Sequence, residues 1–360
     1  MRAKTKLNNI QVLRAFAASV VILFHTGFAF PRLHAFGSFG VDIFFVISGY
    51  IMARILDPRS SASSDAFLRR RILRIVPPYW FFTMCLFCLA CVAPQWMEAT
   101  QVMHGTRGDG MELLKSLLFV PYLKRSGYIQ PLLGPGWTLN FEMFFYLCLA
   151  IGLLVNRRYA AWIGSAFVLI TVAGMQPFLR ESMVAKFYAN YIGLEFIFGV
   201  VCYTLCNAVA EKSAQRFRLP ALVVCIVCMA ALIFQQGIWP DTELYRAMSY
   251  GIPAFLMVGS ASFLSLGGWD ISLSGPVLVG DASYILYLVH PFCELFIVRA
   301  LGRHFSWLRN ATPLGALATI TLAIAVSIAI HVYCERPLVR LFYRQFGGKR
   351  KKPEPVLVTA

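Results

Sequence analysis

Apolar residues in this chain fall into long blocks separated by short polar segments that are mostly basic, and about eighteen consecutive apolar residues suffice to cross a bilayer as a helix. Ten such blocks can be drawn, at 10–30, 38–56, 76–95, 137–155, 160–178, 187–207, 219–236, 247–266, 278–302 and 313–335. The eighth is interrupted by Gly251 and Pro253. The pattern predicts an all-α polytopic membrane protein with about ten transmembrane helices. The integral-membrane domain is expected over 1–345, followed by a basic, disordered tail over 346–360. No repeat of 20 to 50 residues is visible. Only 96–136 offers a sizeable segment between spans, so chemistry has to occur among the helices.

Composition supports this reading. Of 360 residues, 58% are apolar and 14% charged, and the mean hydropathy is +0.65, which excludes an ordinary soluble enzyme. The 33 Lys and Arg against 17 Asp and Glu give a net charge of +16. In a soluble chain that excess would suggest nucleic acid. Here the cations lie between apolar blocks, so the expected partner is the lipid bilayer and not nucleic acid. With the N-terminus inside, Arg69, Arg70, Arg71, Arg74 and the tail Lys349 to Lys352 all fall on the inner side, which predicts both termini in the cytoplasm. Arg14 interrupts the start of the first block, so that block is expected to remain in the protein as a span and not to be a cleaved signal. Cys85, Cys88 and Cys91 have a spacing that suggests a metal motif, but no His or carboxylate accompanies them. They read as small apolar residues, and no metal is expected.

Ionisable side chains inside spans are costly, face the bundle interior and mark candidate sites. Arg14 and His25 are eleven residues apart, which returns them to one helix face about 16 Å apart along the axis. Counted from the ends of their spans, Asp42 and Glu142 lie at a depth similar to His25, about 6 and 7 Å below the surface. A carboxylate beside an imidazole orients one nitrogen and raises its basicity, as deprotonation of a hydroxyl requires. Arg70, Arg71 and Arg74 precede Pro77-Pro78, which suit the first turn of the third span. Arg71 and Arg74 would share a face and offer forked donors to a phosphate, although a cytoplasmic loop also collects Arg for topology alone. In the ninth span, Tyr284, Tyr287 and His290 form a polar stripe with Asp281 before it and Glu294 beyond. Such a stripe fits a substrate-lined cavity or a kink at His290-Pro291. Glu335-Arg336-Pro337 reads as an interfacial ion pair.

Together these residues resemble the membrane acyltransferase 3 family of O-acyltransferases. The matching motifs begin with Leu13-Arg14-Ala15-Phe16-Ala17-Ala18 through His25, followed by Gly40 to Tyr50 (GVDIFFVISGY) and Arg70 to Pro77. They continue with Gly136 to Tyr146 (GWTLNFEMFFY), Ser283-Tyr284 through His290-Pro291, and Glu335-Arg336-Pro337. Within the family the chain looks most like the exopolysaccharide-production acetyltransferases of bacteria, although the same scaffold serves peptidoglycan, macrolide and Nod-factor modification. The resemblance implies a multi-pass protein of the bacterial inner membrane that moves an acetyl group from cytoplasmic acetyl-CoA, as co-substrate, to a hydroxyl of a sugar or polysaccharide acceptor. It implies coenzyme A phosphates at Arg70, Arg71 and Arg74, with the pantetheine arm passing Arg14. His25 would be the general base, oriented by Asp42 or Glu142, or would itself carry the acetyl group. Trp137, Tyr146, Tyr284, Tyr287 and His290 are expected to line the substrate cavity. A proton-coupled secondary transporter and a non-catalytic part of a polysaccharide export complex are the alternatives, since a His with carboxylates within the membrane also builds proton relays.

Overall fold

The computed structural model describes residues 7–28, 37–58, 63–100, 102–209, 211–235, 242–308 and 311–346. The basic tail predicted over 346–360 lies almost wholly outside them. Among the described residues the chain is helical and contains no strand.

The first half carries α1 (Asn8–His25), α2 (Gly40–Ile55), α3 (Ser64–Val92), a short α4 (Gly110–Leu117), α5 (Trp137–Val155), α6 (Ala160–Met175), a short α7 (Met183–Tyr188) and α8 (Leu194–Ala208). Then follow α9 (Glu211–Arg216), α10 (Arg218–Phe234), α11 (Glu243–Ser249), α12 (Gly251–Leu266), α13 (Ser274–Asp281), α14 (Ser283–Phe296), α15 (Pro313–Ile330) and α16 (Arg336–Phe346). Each of the ten apolar blocks coincides with one of these helices. Among the described residues, seven helical stretches are long and apolar enough to cross a membrane, running from Ser64–Val92 to Pro313–Leu341. The helices α1, α2 and α10 are shorter or more polar. For α1 the cause is visible in Asn9, Gln11 and Arg14, which are buried against its neighbours and interrupt an apolar run.

The core lies where α1 passes between α2, α12, α13, α14 and α15. Large apolar side chains on α3, α6 and α10, among them Phe81, Ile170 and Val227, are exposed on the outside of the bundle. That is the arrangement a lipid solvent favours, because burying Leu or Phe between helices gains little over leaving it in hydrocarbon. Close backbone approach takes over as the source of helix association, and α2 against α8 shows it most clearly. A Cβ on Gly49 would sit 2.0 Å from the Phe196 carbonyl oxygen, and one on Gly199 would sit 2.2 Å from that of Val46.

The predicted start of the third span at Pro77-Pro78 is corrected. The helix begins at Ser64, where the Ser63 hydroxyl accepts from the Ala66 amide at 3.3 Å, and it runs on through both prolines. The cap and Asp65 in the first turn favour initiation there. Pro77 and Pro78 lack amide hydrogens and leave the carbonyls of Leu73 and Arg74 without their helical donors. The break expected near Gly251 and Pro253 is real but smaller. It falls at Tyr250, and Pro253 occupies the first turn of α12, where a missing N–H costs nothing.

The segment between α3 and α5 is folded. Asp109 caps α4 by accepting from the amides of Met111 and Glu112. Helix α3 holds the result: Tyr79 donates to the Ser116 carbonyl at 3.1 Å and Trp80 Nε1 to that of Leu117 at 2.9 Å. Lys124, only 1% exposed, donates to Thr106 Oγ1 at 2.5 Å and to the Leu132 carbonyl at 3.2 Å. Burial lowers its ammonium from 10.5 to about 8. The folded segment therefore binds that proton more weakly than the unfolded one. Stability of this segment is expected to rise with pH between about 8 and 10.5 at up to about 1.4 kcal/mol per pH unit. Hydrogen exchange at 110–132, corrected for intrinsic rates, should show greater protection at pH 10 than at pH 8. Equal protection would mean that Lys124 keeps its ordinary affinity for the proton.

Candidate active site

A cavity of about 100 Å³ opens between α1, α2, α3, α5 and α14. Its charged lining is Arg14, Arg71, Arg74 and Glu142, three cations to one carboxylate. Each comes from a helix that also supplies apolar wall, so the guanidinium groups converge in a setting where an anion would be strongly attracted. Arg14 Nε donates to Ser283 Oγ at 3.1 Å, which ties α1 to the first turn of α14. Glu142 accepts from the Tyr146 hydroxyl and from Ser48 Oγ at 3.2 Å. The Tyr284 hydroxyl donates to the Ile75 carbonyl at 2.6 Å, beside the arginines of α3.

At the other end of the cavity, Thr138 Oγ1 donates to the Tyr287 hydroxyl at 3.2 Å, and that hydroxyl reaches the Pro135 carbonyl. One turn further along α14, His290 is fully buried and packs against the Tyr287 ring at 5.9 Å. His290 Nε2 lies 3.1 Å from His25 Nδ1, and the two rings stack with centroids 5.1 Å apart. The bonding fixes both tautomers. His290 Nδ1 is 2.8 Å from the Tyr287 carbonyl, which can only accept, so that nitrogen carries hydrogen. In a neutral ring Nε2 is then the acceptor, and His25 Nδ1 donates to it. The lone pair of His25 Nε2 is left available, which is the electronic state a general base needs.

Several expectations about this site are corrected by the geometry. His25 meets His290 and neither Asp42 nor Glu142. Asp42 is fully buried and accepts from Arg246 Nη2 at 2.8 Å, with Glu195 buried alongside. Glu142 bonds Ser48, six residues or about 9 Å further along α2 than Asp42, so the two carboxylates do not share a level. Depth counted along a helix axis fixes height, but it does not fix which way round the helix a side chain points. Arg71 and Arg74 line the cavity, whereas Arg70, one residue away and so turned by about 100°, is not among the lining residues. Tyr146, Tyr284 and Tyr287 line it as expected. Trp137 does not: it packs edge-on against Phe45 and Phe141 at 6.2 and 6.0 Å. His290 stands behind Tyr287, touching His25 and not the cavity.

Ser48, Thr138 and Ser283 escaped sequence reasoning because small hydroxyls are common within membrane helices. The pair Glu335-Arg336 proves to be part of a wider cluster. His331 Nδ1 lies 2.5 Å from Glu335, and Arg336 reaches both His331 Nε2 at 3.0 Å and Asp281 at 3.5 Å. Its signal was the spacing of His331 and Glu335, four residues apart on one helical face.

Comparison with known proteins agrees with the motifs. The acyltransferase domain of the acyltransferase 3 family matches residues 7–332. The chain belongs to this family. As a member of the acyltransferase 3 family it is a multi-span membrane acyltransferase, and the transporter alternative is set aside. It is 34% identical over 328 residues to the exopolysaccharide production protein ExoZ of Rhizobium meliloti (strain 1021), covering 89% of this chain and 95% of ExoZ. It is 26% identical over 378 residues to the acyltransferase MdmB of Streptomyces mycarofaciens, covering 94% and 93% of the two chains. Over 175 residues it is 28% identical to the peptidoglycan O-acetyltransferase OatA of Listeria monocytogenes, covering 46% of this chain and 26% of OatA. No solved structure gives a significant match.

Proposed function

We propose that this acyltransferase moves an acetyl group from acetyl-CoA to a hydroxyl of an exported polysaccharide, or of its lipid-linked precursor, in the bacterial inner membrane, with both chain termini in the cytoplasm. The observation that carries the reading is the continuity of the site. A cavity with Arg14, Arg71 and Arg74 in its walls ends at Tyr287, whose carbonyl holds His290, which in turn leaves the lone pair of His25 Nε2 free. The arginines in its walls suit the nucleotide phosphates of coenzyme A, with the acyl end directed toward Tyr287. The extensive likeness to an exopolysaccharide production protein supports a saccharide acceptor.

In the reaction His25 Nε2 removes the proton of the acceptor hydroxyl as its oxygen bonds to the thioester carbonyl carbon. The carbon–sulfur bond then breaks, and the thiolate takes the proton back from His25. The products are an acetyl ester and free coenzyme A, with no net proton gained or lost. Thr138 and Tyr287 hold the narrow end of the channel between the two reactants.

The donor half is tested by Arg71→Ala. A charge-assisted contact to phosphate is worth about 1.5–3 kcal/mol, so coenzyme A binding to the purified protein is expected to weaken by about tenfold or more. The amount of protein inserted in the membrane should stay the same. Unchanged affinity in a well-inserted variant would return the arginines to a purely topological role.

A further inference from the structure

On α14, Ser283, Tyr287, His290 and Glu294 follow one another at intervals of four, three and four residues, the spacing that keeps side chains on one helical face. The first three have partners across that face. Ser283 Oγ meets Arg14 Nε at 3.1 Å, Tyr287 meets Thr138 at 3.2 Å, and His290 meets His25 at 3.1 Å. The fourth has none. Glu294 is 1% exposed, and among the described residues neither carboxyl oxygen has a hydrogen-bond partner.

A buried carboxyl group with both oxygens unsatisfied is among the most costly features a helix bundle can carry. Among the described residues, ion pairing of the kind that explains Asp42 with Arg246 and Glu335 with His331 does not explain it. Glu294 stands about 6 Å beyond His290 along the axis, on the side away from the arginine-lined cavity. His25, which reaches His290 from α1, is only partly buried. The empty acceptor oxygens thus lie past the imidazole pair as viewed from the cavity, on the side from which a second reactant would have to approach His25.

We propose that Glu294 binds the acyl acceptor, with its carboxyl oxygens accepting hydrogen bonds from sugar hydroxyls next to the one that His25 deprotonates. It would thereby select which hydroxyl is esterified. The chemistry favours a saccharide. Its hydroxyls supply the donors that the described residues do not, and an apolar group would leave the oxygens unsatisfied. This inference rests on the reading of His25 as base and of a saccharide as acceptor.

The test uses the full-length protein in cells that make the polysaccharide, as wild type, Glu294→Gln, Glu294→Ala and His25→Ala. Acetyl ester content and the esterified positions are measured by NMR of the secreted polymer, and coenzyme A binding by the purified proteins. Both Glu294 variants are expected to bind coenzyme A as wild type does while ester content falls by about tenfold or more, as loss of a buried polar contact to substrate produces. The remaining ester should be spread over additional hydroxyl positions, which a merely structural defect would not cause. Unchanged ester amount and position in the isosteric Glu294→Gln variant overturns the proposal. So does a fall in ester that keeps its position and is matched by loss of coenzyme A binding. Should His25→Ala retain the ester while the Glu294 variants shift it, the base assignment fails and the acceptor contact stands. A wild-type protein that binds no coenzyme A and adds no ester removes the enzymatic reading and this inference with it.

Discussion

Polysaccharide from cells carrying His25→Ala is expected to be made in normal amount but to lack its acetyl esters. A positioned general base contributes about a hundredfold to ten-thousandfold to such a transfer, and either figure would bring the ester below ordinary detection. The variant should still insert and fold, because what is lost at the end of α1 is a hydrogen bond to His290, and no ion pair among the described residues is broken. Membrane levels and coenzyme A binding are the controls for that. Ester content within about threefold of wild type at equal protein level would remove His25 from the chemistry, since no base of the stated strength is worth so little.

The second large effect is on stability. Leucine at Gly199 is expected to prevent accumulation of the folded protein. Even its Cβ would lie 2.2 Å from the Val46 carbonyl oxygen and 2.5 Å from the Tyr50 amide nitrogen, both main-chain atoms that no rotamer change can move. Helices α2 and α8 would have to separate, and α2 forms the cavity wall through Phe44, Ser48 and Met52. Overpacking at a close helix contact costs about 1–3 kcal/mol for a small intrusion, and a whole leucine side chain exceeds that range. Gly174, whose added Cβ would meet nothing within 4 Å, supplies the control: alanine there should leave thermal stability in detergent unchanged. A Gly199→Leu protein as stable as the Gly174→Ala control would contradict the close α2–α8 contact.

Much of the fold was legible because apolar blocks carry their own boundaries. Where a helix begins outside such a block, hydropathy gives no warning, and α3 starts about three turns earlier than the pattern suggests because its N-terminal part is rich in arginine. Within the site, residue types were easier to read than partners. Arg14, Tyr284 and Tyr287 stand out as ionisable or polar groups in apolar surroundings, Arg71 and Arg74 as a basic pair three residues apart and Tyr146 through the resemblance, and all six line the cavity. Asp42 and Glu142 were matched to His25 by depth alone, yet a side chain's direction around its helix depends on packing between segments far apart in sequence. Asp42 is 204 residues from Arg246, and His25 is 265 from His290. The polar face of α14 is the instructive middle case: its four-three-four spacing is visible in the sequence, whereas that Glu294, alone of the four, has no hydrogen-bond partner among the described residues depends on packing between distant segments.

Helix α3 serves two masters. The part before its prolines presents Arg71 and Arg74, and the part after them anchors the folded segment 96–136 through Tyr79 and Trp80, fewer than ten residues away. A rod held at both ends behaves as a lever. Grafting a different segment between α3 and α5 would alter the angle at which the guanidinium groups are aimed, so exchanging it without disturbing Arg71 and Arg74 would require compensating changes along the shaft between them.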